Sequence, residues 1–124
     1  MPRFEASALR GYCVSVLMAS GVERSCAEAV ADALIDAELT GVSTHGVSRL
    51  AVYMQRMDAG VMSRENNIRI VRESTSTLVV DAGNSLGAAA AKFTMTKCIE
   101  KARETGVCFA AVRNSNHFGT AAFY

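Results

Sequence analysis

The sequence predicts a mixed α+β chain of the α/β class, in which a helical N-terminal segment leads into the start of a sheet-bearing domain. Three observations carry this. Apolar residues recur at helical spacing through residues 1–62. From residue 63 the pattern changes to short runs rich in Ile, Val and Thr, which suit strands. Glycines stand where helices should stop, at Gly21, Gly41, Gly60 and Gly106. The division is therefore 1–62, helical, and 63–124, the beginning of an αβ domain.

The first helix is expected from Phe4 to about Ala19, with Leu9, Val16 and Leu17 on its apolar side. Ser25-Cys26-Ala27-Glu28 reads as an S-x-x-E capping box that opens a second helix. On its wheel Val30, Ala33, Leu34 and Ala37 gather opposite Glu28, Asp32 and Asp36. A third helix, capped by Ser43 or Thr44, should run from about Gly46 to Ala59. Strands follow at Asn67 to Val71 and Thr77 to Asp81. Gly83-Asn84-Ser85-Leu86-Gly87 reads as a turn and cap for a helix over Ala88 to Thr105. The last apolar run, Val107 to Arg113, reads as a buried strand that delivers Asn114-Ser115-Asn116-His117-Phe118-Gly119 to its C-terminal edge. Open α/β sheets place ligand crevices at that edge. A further helix start is expected at Thr120 to Tyr124.

Composition narrows the function classes. Half the 124 residues are hydrophobic, a fifth are charged and one is proline, an ordinary globular balance. The net charge is +1 and there is no basic run, which disfavours a nucleic-acid partner. The longest apolar stretches are broken by charges, which argues against a membrane span, and the N-terminus has no signal-like apolar core. The four cysteines, Cys13, Cys26, Cys98 and Cys108, form no C-x-x-C pair and no metal spacing with the two histidines. They read as reduced, mostly buried thiols of a cytoplasmic protein, and no metal is expected.

Two places could carry chemistry. His45 and Arg49 are four apart, so one helical face would hold both, with Arg56 nearby. With Val47, Leu50, Ala51, Met54, Met57 and Val61 on the core side, the His/Arg stripe faces either solvent or a cleft wall. Arginine offers a fork of donors to a carboxylate, and histidine can pass a proton near neutral pH. His117 is a second proton carrier, or a loop histidine that satisfies neighbouring backbone. Asn114 and Asn116 suit Asx turns and could equally orient a hydroxyl or an amide-bearing cofactor. Gly83 to Gly87 is neither G-x-G-x-x-G nor a P-loop, so no Rossmann nucleotide site is supported.

Gly41-Val42-Ser43-Thr44-His45-Gly46-Val47-Ser48-Arg49-Leu50, followed by Tyr53, Arg56 and Gly60, resembles the SHG-x-x-R helix of the malate/L-lactate dehydrogenase family. That family is of non-Rossmann type and includes ureidoglycolate dehydrogenase, sulfolactate dehydrogenase and diketogulonate reductase. Asn114 to Gly119 resembles its second signature, and Val79-Val80-Asp81-Ala82, Gly87 and Ala102 to Gly106 fit the segment between. Thr44 stands where serine is common and keeps the hydroxyl.

The resemblance implies reversible hydride transfer between NAD or NADP and a small 2-hydroxy acid. It implies His117 and His45 as catalytic proton carriers, without choosing between them. Arg49 and Thr44 would bind substrate, and Asn116, Phe118 and Gly119 would border the cofactor. It further implies a homodimer and a cytoplasmic enzyme. Family members are more than twice as long, so the chain is expected to be an N-terminal piece of such an enzyme, inactive alone. The alternative is a non-catalytic binding or structural module derived from one.

Overall fold

The computed structural model describes residues 2–124. Helix α1 spans Ala6–Ala19, α2 Arg24–Leu39, α3 Ser48–Asp58 and α4 Gly87–Thr105. The strands are β1 (Arg69–Glu73), β2 (Thr77–Asp81) and β3 (Phe109–Arg113). Short 3-10 turns at Ser43–His45 and Ala121–Phe123 complete the chain. The mixed α+β class is as the sequence predicts.

Helix α2 is the hub. Cys26, Val30, Ala33, Leu34 and Ala37 on it are buried, together with Ala27, Ala29 and Ala31. Its many alanines let α1 and α4 approach closely on different sides. Cys13 and Leu17 from α1, Leu50, Tyr53 and Met57 from α3, and Leu86, Ala88 and Ala89 at the start of α4 join one continuous core. Burying an aliphatic side chain of this kind contributes about 1.5–3 kcal/mol.

The sheet has the order β1-β2-β3. Strand β1 pairs antiparallel with β2, and Val71 is the extra residue of a bulge between the pairs Ile70–Val80 and Arg72–Val79. Strand β2 pairs parallel with β3, from Thr77–Phe109 to Asp81–Arg113. The parallel step crosses over through α4, as a βαβ unit requires.

Several local expectations are corrected. Helix α1 begins at Ala6, and Phe4 is exposed. Glu23, not Ser25, is the N-cap of α2, and the Ser25 hydroxyl donates to the Glu23 carboxylate, so the capping box does not form. The third helix does not run unbroken from Gly46. His45 belongs to the 3-10 turn, and Gly46 is extended before α3 begins at Ser48. The break has a partner: Glu38 Oε1 accepts from the Val47 N–H at 2.8 Å, and its carboxylate fills the space a Cβ on Gly46 would need.

On α3 the buried row is Leu50, Tyr53 and Met57, while Ala51 and Val61 are exposed. Strand β1 lies two residues later than Asn67 to Val71 predicts. Strand β3 is not buried: Phe109 is 71% exposed and Val112 39%. Among the described residues its one ladder is to β2. Cys98 and Cys108 are half-buried rather than buried, and all four cysteines are free. Thr120 to Tyr124 makes one 3-10 turn, not an α-helix start.

Candidate active site

The loop after β3 is held from beneath by the turn before α4. Asn84 takes a left-handed conformation, and its N–H donates to Asn114 O at 2.9 Å. The Asn116 Nδ2 reaches Asn84 O at 3.1 Å, Asn84 Oδ1 at 3.0 Å and Ser85 O at 3.0 Å. Ser85, itself buried, donates to Glu65 O at 2.8 Å and accepts from the Asn67 N–H at 3.0 Å. Gly87 then lets the loop lie on the first turn of α4. A Cβ there would overlap the Asn116 and His117 carbonyl oxygens and stand 2.6 Å from the His117 carbonyl carbon.

Asp81 anchors the same loop from the end of β2. Its Oδ1 accepts from Gly83 N at 2.8 Å and from Asn114 Nδ2 at 3.2 Å. Its Oδ2 accepts from Arg113 Nε at 3.1 Å, with Arg69 at 3.6 Å. The Gly83 N–H, then Asn114 and Arg113, hold this carboxyl below its ordinary value. Hydrogen bonds to a charged carboxylate favour that form.

His117 is thereby presented to α3. Its Nδ1 lies 2.7 Å from the Tyr53 hydroxyl, which is buried at 4% exposure. Burial pushes the Tyr53 phenol up, so it keeps its proton at neutral pH. With Nδ1 engaged by Tyr53, Nε2 is the ring nitrogen left to a ligand. Packing that strips water from the ring, then the positive Arg49 and then His45, push the His117 imidazole below its ordinary value. Near pH 7 it is therefore neutral and ready to accept a proton.

His45 lies beside it, the ring centroids 5.2 Å apart and the planes tilted by 37°. Thr44 Oγ1 sits 3.0 Å from His45 Nδ1 and orients that ring. Arg49 Nε donates to Thr44 O at 2.7 Å, tying the start of α3 to the 3-10 turn that carries His45. Arg49 is thus tied, across a break in the helix, to the turn that carries His45, and the two do not share one helical face.

Arg49, Tyr53 and His117 border a cleft of about 380 Å³ that Val52, Arg56, Met62, Ser115 and Asn116 also line, with His45 and Thr44 outside that lining. No Asp or Glu among the described residues lines it. Arg49 and Arg56 are seven apart, two turns of α3 or about 10 Å along the axis. The cleft thus presents two guanidinium groups and a neutral imidazole, a set suited to an anion with a titratable oxygen.

On the other side of the loop lies an apolar cleft of about 320 Å³. Phe118, Tyr124, Val112, Met95 and Gly87 line it, together with Ser115, which borders both clefts. Gly119 has a left-handed backbone, and a Cβ there would stand 3.6 Å from the Ala33 methyl. Asn116 spends its amide N–H groups on the turn, which leaves its Oδ1 to a ligand.

Sequence reasoning singles out both histidines, Thr44 and Arg49, and the structure gathers all four in one place. The same reasoning places Arg56 on the His/Arg stripe and Tyr53 in the family motif without a task in the site, and reads Asn84, Ser85 and Gly87 only as turn and cap. A signal for Tyr53 exists in its spacing with Leu50 and Met57, because a buried phenol needs a hydrogen-bond partner.

The sequence model of the malate/L-lactate dehydrogenase family matches residues 4–124. The L-sulfolactate dehydrogenase of Methanocaldococcus jannaschii is 38% identical over 111 residues, 90% of this chain and 32% of that protein. The malate dehydrogenase of Pyrococcus abyssi is 38% identical over 122 residues, 98% of this chain and 34% of that protein. The solved malate dehydrogenase of Pyrococcus horikoshii superposes with a TM-score of 0.95 at 36% identity, covering 98% of this chain and 35% of its own. The chain spans about a third of the length of the curated relatives it matches. Matched along nearly its whole length in sequence and in fold, the chain belongs to the malate/L-lactate dehydrogenase family.

Proposed function

We propose that this chain carries the substrate side of an NAD- or NADP-dependent 2-hydroxyacid dehydrogenase. One observation carries the reading. The His117 imidazole is fixed by Tyr53 in a cleft that also holds Arg49 and Arg56 and no carboxylate.

Arg49 binds the carboxylate next to the reacting carbon, with Thr44 fixing its surroundings. The substrate hydroxyl then lies against Nε2 of His117. In oxidation, His117 takes the hydroxyl proton as the hydrogen on the same carbon leaves with its electron pair, giving the 2-keto acid. In reduction the protonated ring returns the proton to the forming alkoxide, a contribution of about 10²- to 10⁴-fold. Tyr53 can donate to Nδ1 or accept from it, so it holds the ring in either charge state. His45 stands beside it as the second proton carrier.

The nicotinamide cofactor, when bound, supplies the hydride acceptor. The apolar cleft fits the flat face of its ring, with Phe118 in its lining, Gly119 next in the chain, and Asn116 in the adjoining substrate cleft. That cleft has no Lys or Arg in its lining, so it fits the ring and not the phosphates.

Arg56 extends the substrate reading to a dianion, a 2-hydroxy acid with a second acidic group. The similar proteins named for malate and for sulfolactate support this. In the same proposal the enzyme is a cytoplasmic homodimer, with residues 1–62 as the helical wall of the site and 63–124 as its sheet-borne wall. No helix among the described residues is long and apolar enough to cross a membrane.

The test is turnover by the protein carrying this chain, followed as reduction of NAD or NADP with malate or sulfolactate. His117→Ala and His45→Ala should each lower kcat by about 100-fold or more. Near-normal turnover in both variants would overturn the assigned roles. Absence of any turnover with 2-hydroxy acids, in a protein that folds, would favour a non-catalytic module.

A further inference from the structure

Cys98 and Cys108 lie away from both clefts and have no part in the chemistry above. Cys98 sits on α4 and Cys108 immediately before β3, and their sulfur atoms stand 3.3 Å apart. Both are half-buried. Cys108 is itself partly exposed and is flanked by Val107 and Phe109, exposed by 63% and 71%. Cys13 and Cys26, by contrast, are 0% and 4% exposed. A disulfide bond is about 2.05 Å long, so closing this pair takes about 1.3 Å of approach.

We propose that Cys98 and Cys108 form a reversible dithiol site that a hydroperoxide oxidises to an intramolecular disulfide. In the first step the Cys108 sulfur attacks a peroxide oxygen. The S–O bond forms, the O–O bond breaks, and the first water or alcohol leaves, giving a sulfenic acid. The Cys98 sulfur then attacks the Cys108 sulfur. The S–S bond forms, the S–O bond breaks, and the hydroxyl leaves as water with the Cys98 proton. Two electrons and two thiol protons pass to the peroxide. A small-molecule thiol reverses the reaction by exchange.

The order of steps follows from the surroundings. Burial and the adjacent thiol push Cys98 up to about 11, so it holds its proton and serves as the resolving sulfur. Cys108, between the exposed Val107 and Phe109, meets the oxidant first. The bridge would fasten the C-terminal half of α4 to the strand that ends in the His117 loop. The inference stands independently of the dehydrogenase reading.

The test treats the purified protein with hydrogen peroxide, unfolds it, alkylates the remaining thiols with iodoacetamide and weighs it. The expected product has lost two hydrogens, takes two alkyl groups instead of four, and yields a cross-linked peptide joining Cys98 to Cys108. Dithiothreitol should restore four alkylations. Cys98→Ser should leave Cys108 to proceed to a sulfinic acid with no internal bridge, and Cys108→Ser should lose the fast reaction with peroxide. The oxidised native chain should also melt at a higher temperature than the reduced one. Four alkylations after peroxide, a bridge that includes Cys13 or Cys26, or a disulfide between two chains would each overturn the proposal.

Discussion

The Tyr53 hydroxyl stands 2.7 Å from Nδ1 of His117, across 64 positions of sequence, and fixes which ring nitrogen the cleft receives. Tyr53→Phe removes that bond and leaves the buried ring in place. The expected result is a loss of about 10- to 100-fold in kcat, smaller than the roughly 10²- to 10⁴-fold of the acid–base group itself, with an unchanged far-UV spectrum. Unchanged kcat would show that packing alone holds the imidazole.

Arg49 lowers the His117 pKa by its charge, next in weight to loss of water around the ring. Oxidation needs the neutral ring, so kcat/KM should climb with pH through that pKa and level off. The climb should lie below the ordinary histidine value. Arg49→Gln removes the positive charge and should move it to higher pH, besides raising KM. A profile that stays in place while KM rises would separate carboxylate binding from the electrostatic effect.

Arg56 is predicted to act on the far acidic group. Arg56→Gln should raise KM for a dianionic 2-hydroxy acid by about 10-fold or more, since a hydrogen bond to a charged group contributes about 1.5–3 kcal/mol. KM for a monoanionic acid such as lactate should change little. Equal losses for both substrates would place Arg56 outside the substrate's reach.

Gly87→Ala tests the support under the loop. The added methyl collides with backbone carbonyls at Asn116 and His117, which have no flexible end to move aside. Overpacking of this kind costs about 1–3 kcal/mol. Turnover should fall at least about 10-fold and the melting temperature should drop. A variant with native activity and melting temperature would show that the loop can shift freely.

Asp81 sets an acid limit on stability. Its folded pKa is lowered, so its stabilising contribution is complete above the ordinary carboxylate value and is lost as pH falls through the folded value. Asp81→Asn should melt earlier than the native chain at about pH 7, and the gap should narrow toward about pH 3. A gap of constant size would mean that the carboxylate's charge is not what matters there.

Helices and strands could be read from sequence because period and punctuation agree. The apolar row of α2 matches its buried face, on α1 Leu17 is buried while Leu9 and Val16 are half-buried, and Gly21, Gly41, Gly60 and Gly106 all adopt the left-handed backbone that ends helices. The starts of helices were less readable. Ser25 and Glu28 satisfy a capping pattern, but the chain enters α2 one turn corner earlier, at Glu23. The break at Gly46 depends on Glu38, nine residues from Val47, so no local rule reports it.

The exposure of β3 has the same origin, since an apolar run does not say what covers it. In the site, histidine, threonine and arginine are visible as residue types. Tyr53 and Arg56 gain their roles only once α3 has docked with its Leu50–Tyr53–Met57 row inward. Asn84, Ser85 and Gly87 are turn residues locally and acquire a second use through the loop that rests on them.

The bond between Tyr53 and His117 also has a kinetic side. Its two ends are far apart in the chain, so it closes only after the helices have condensed and α4 has brought β3 alongside β2. Such non-local contacts are among the slow steps of folding. Recovery of the His117 environment, followed by its proton resonance after refolding, should therefore lag behind recovery of helical signal. The site is a late clock for assembly of the whole chain.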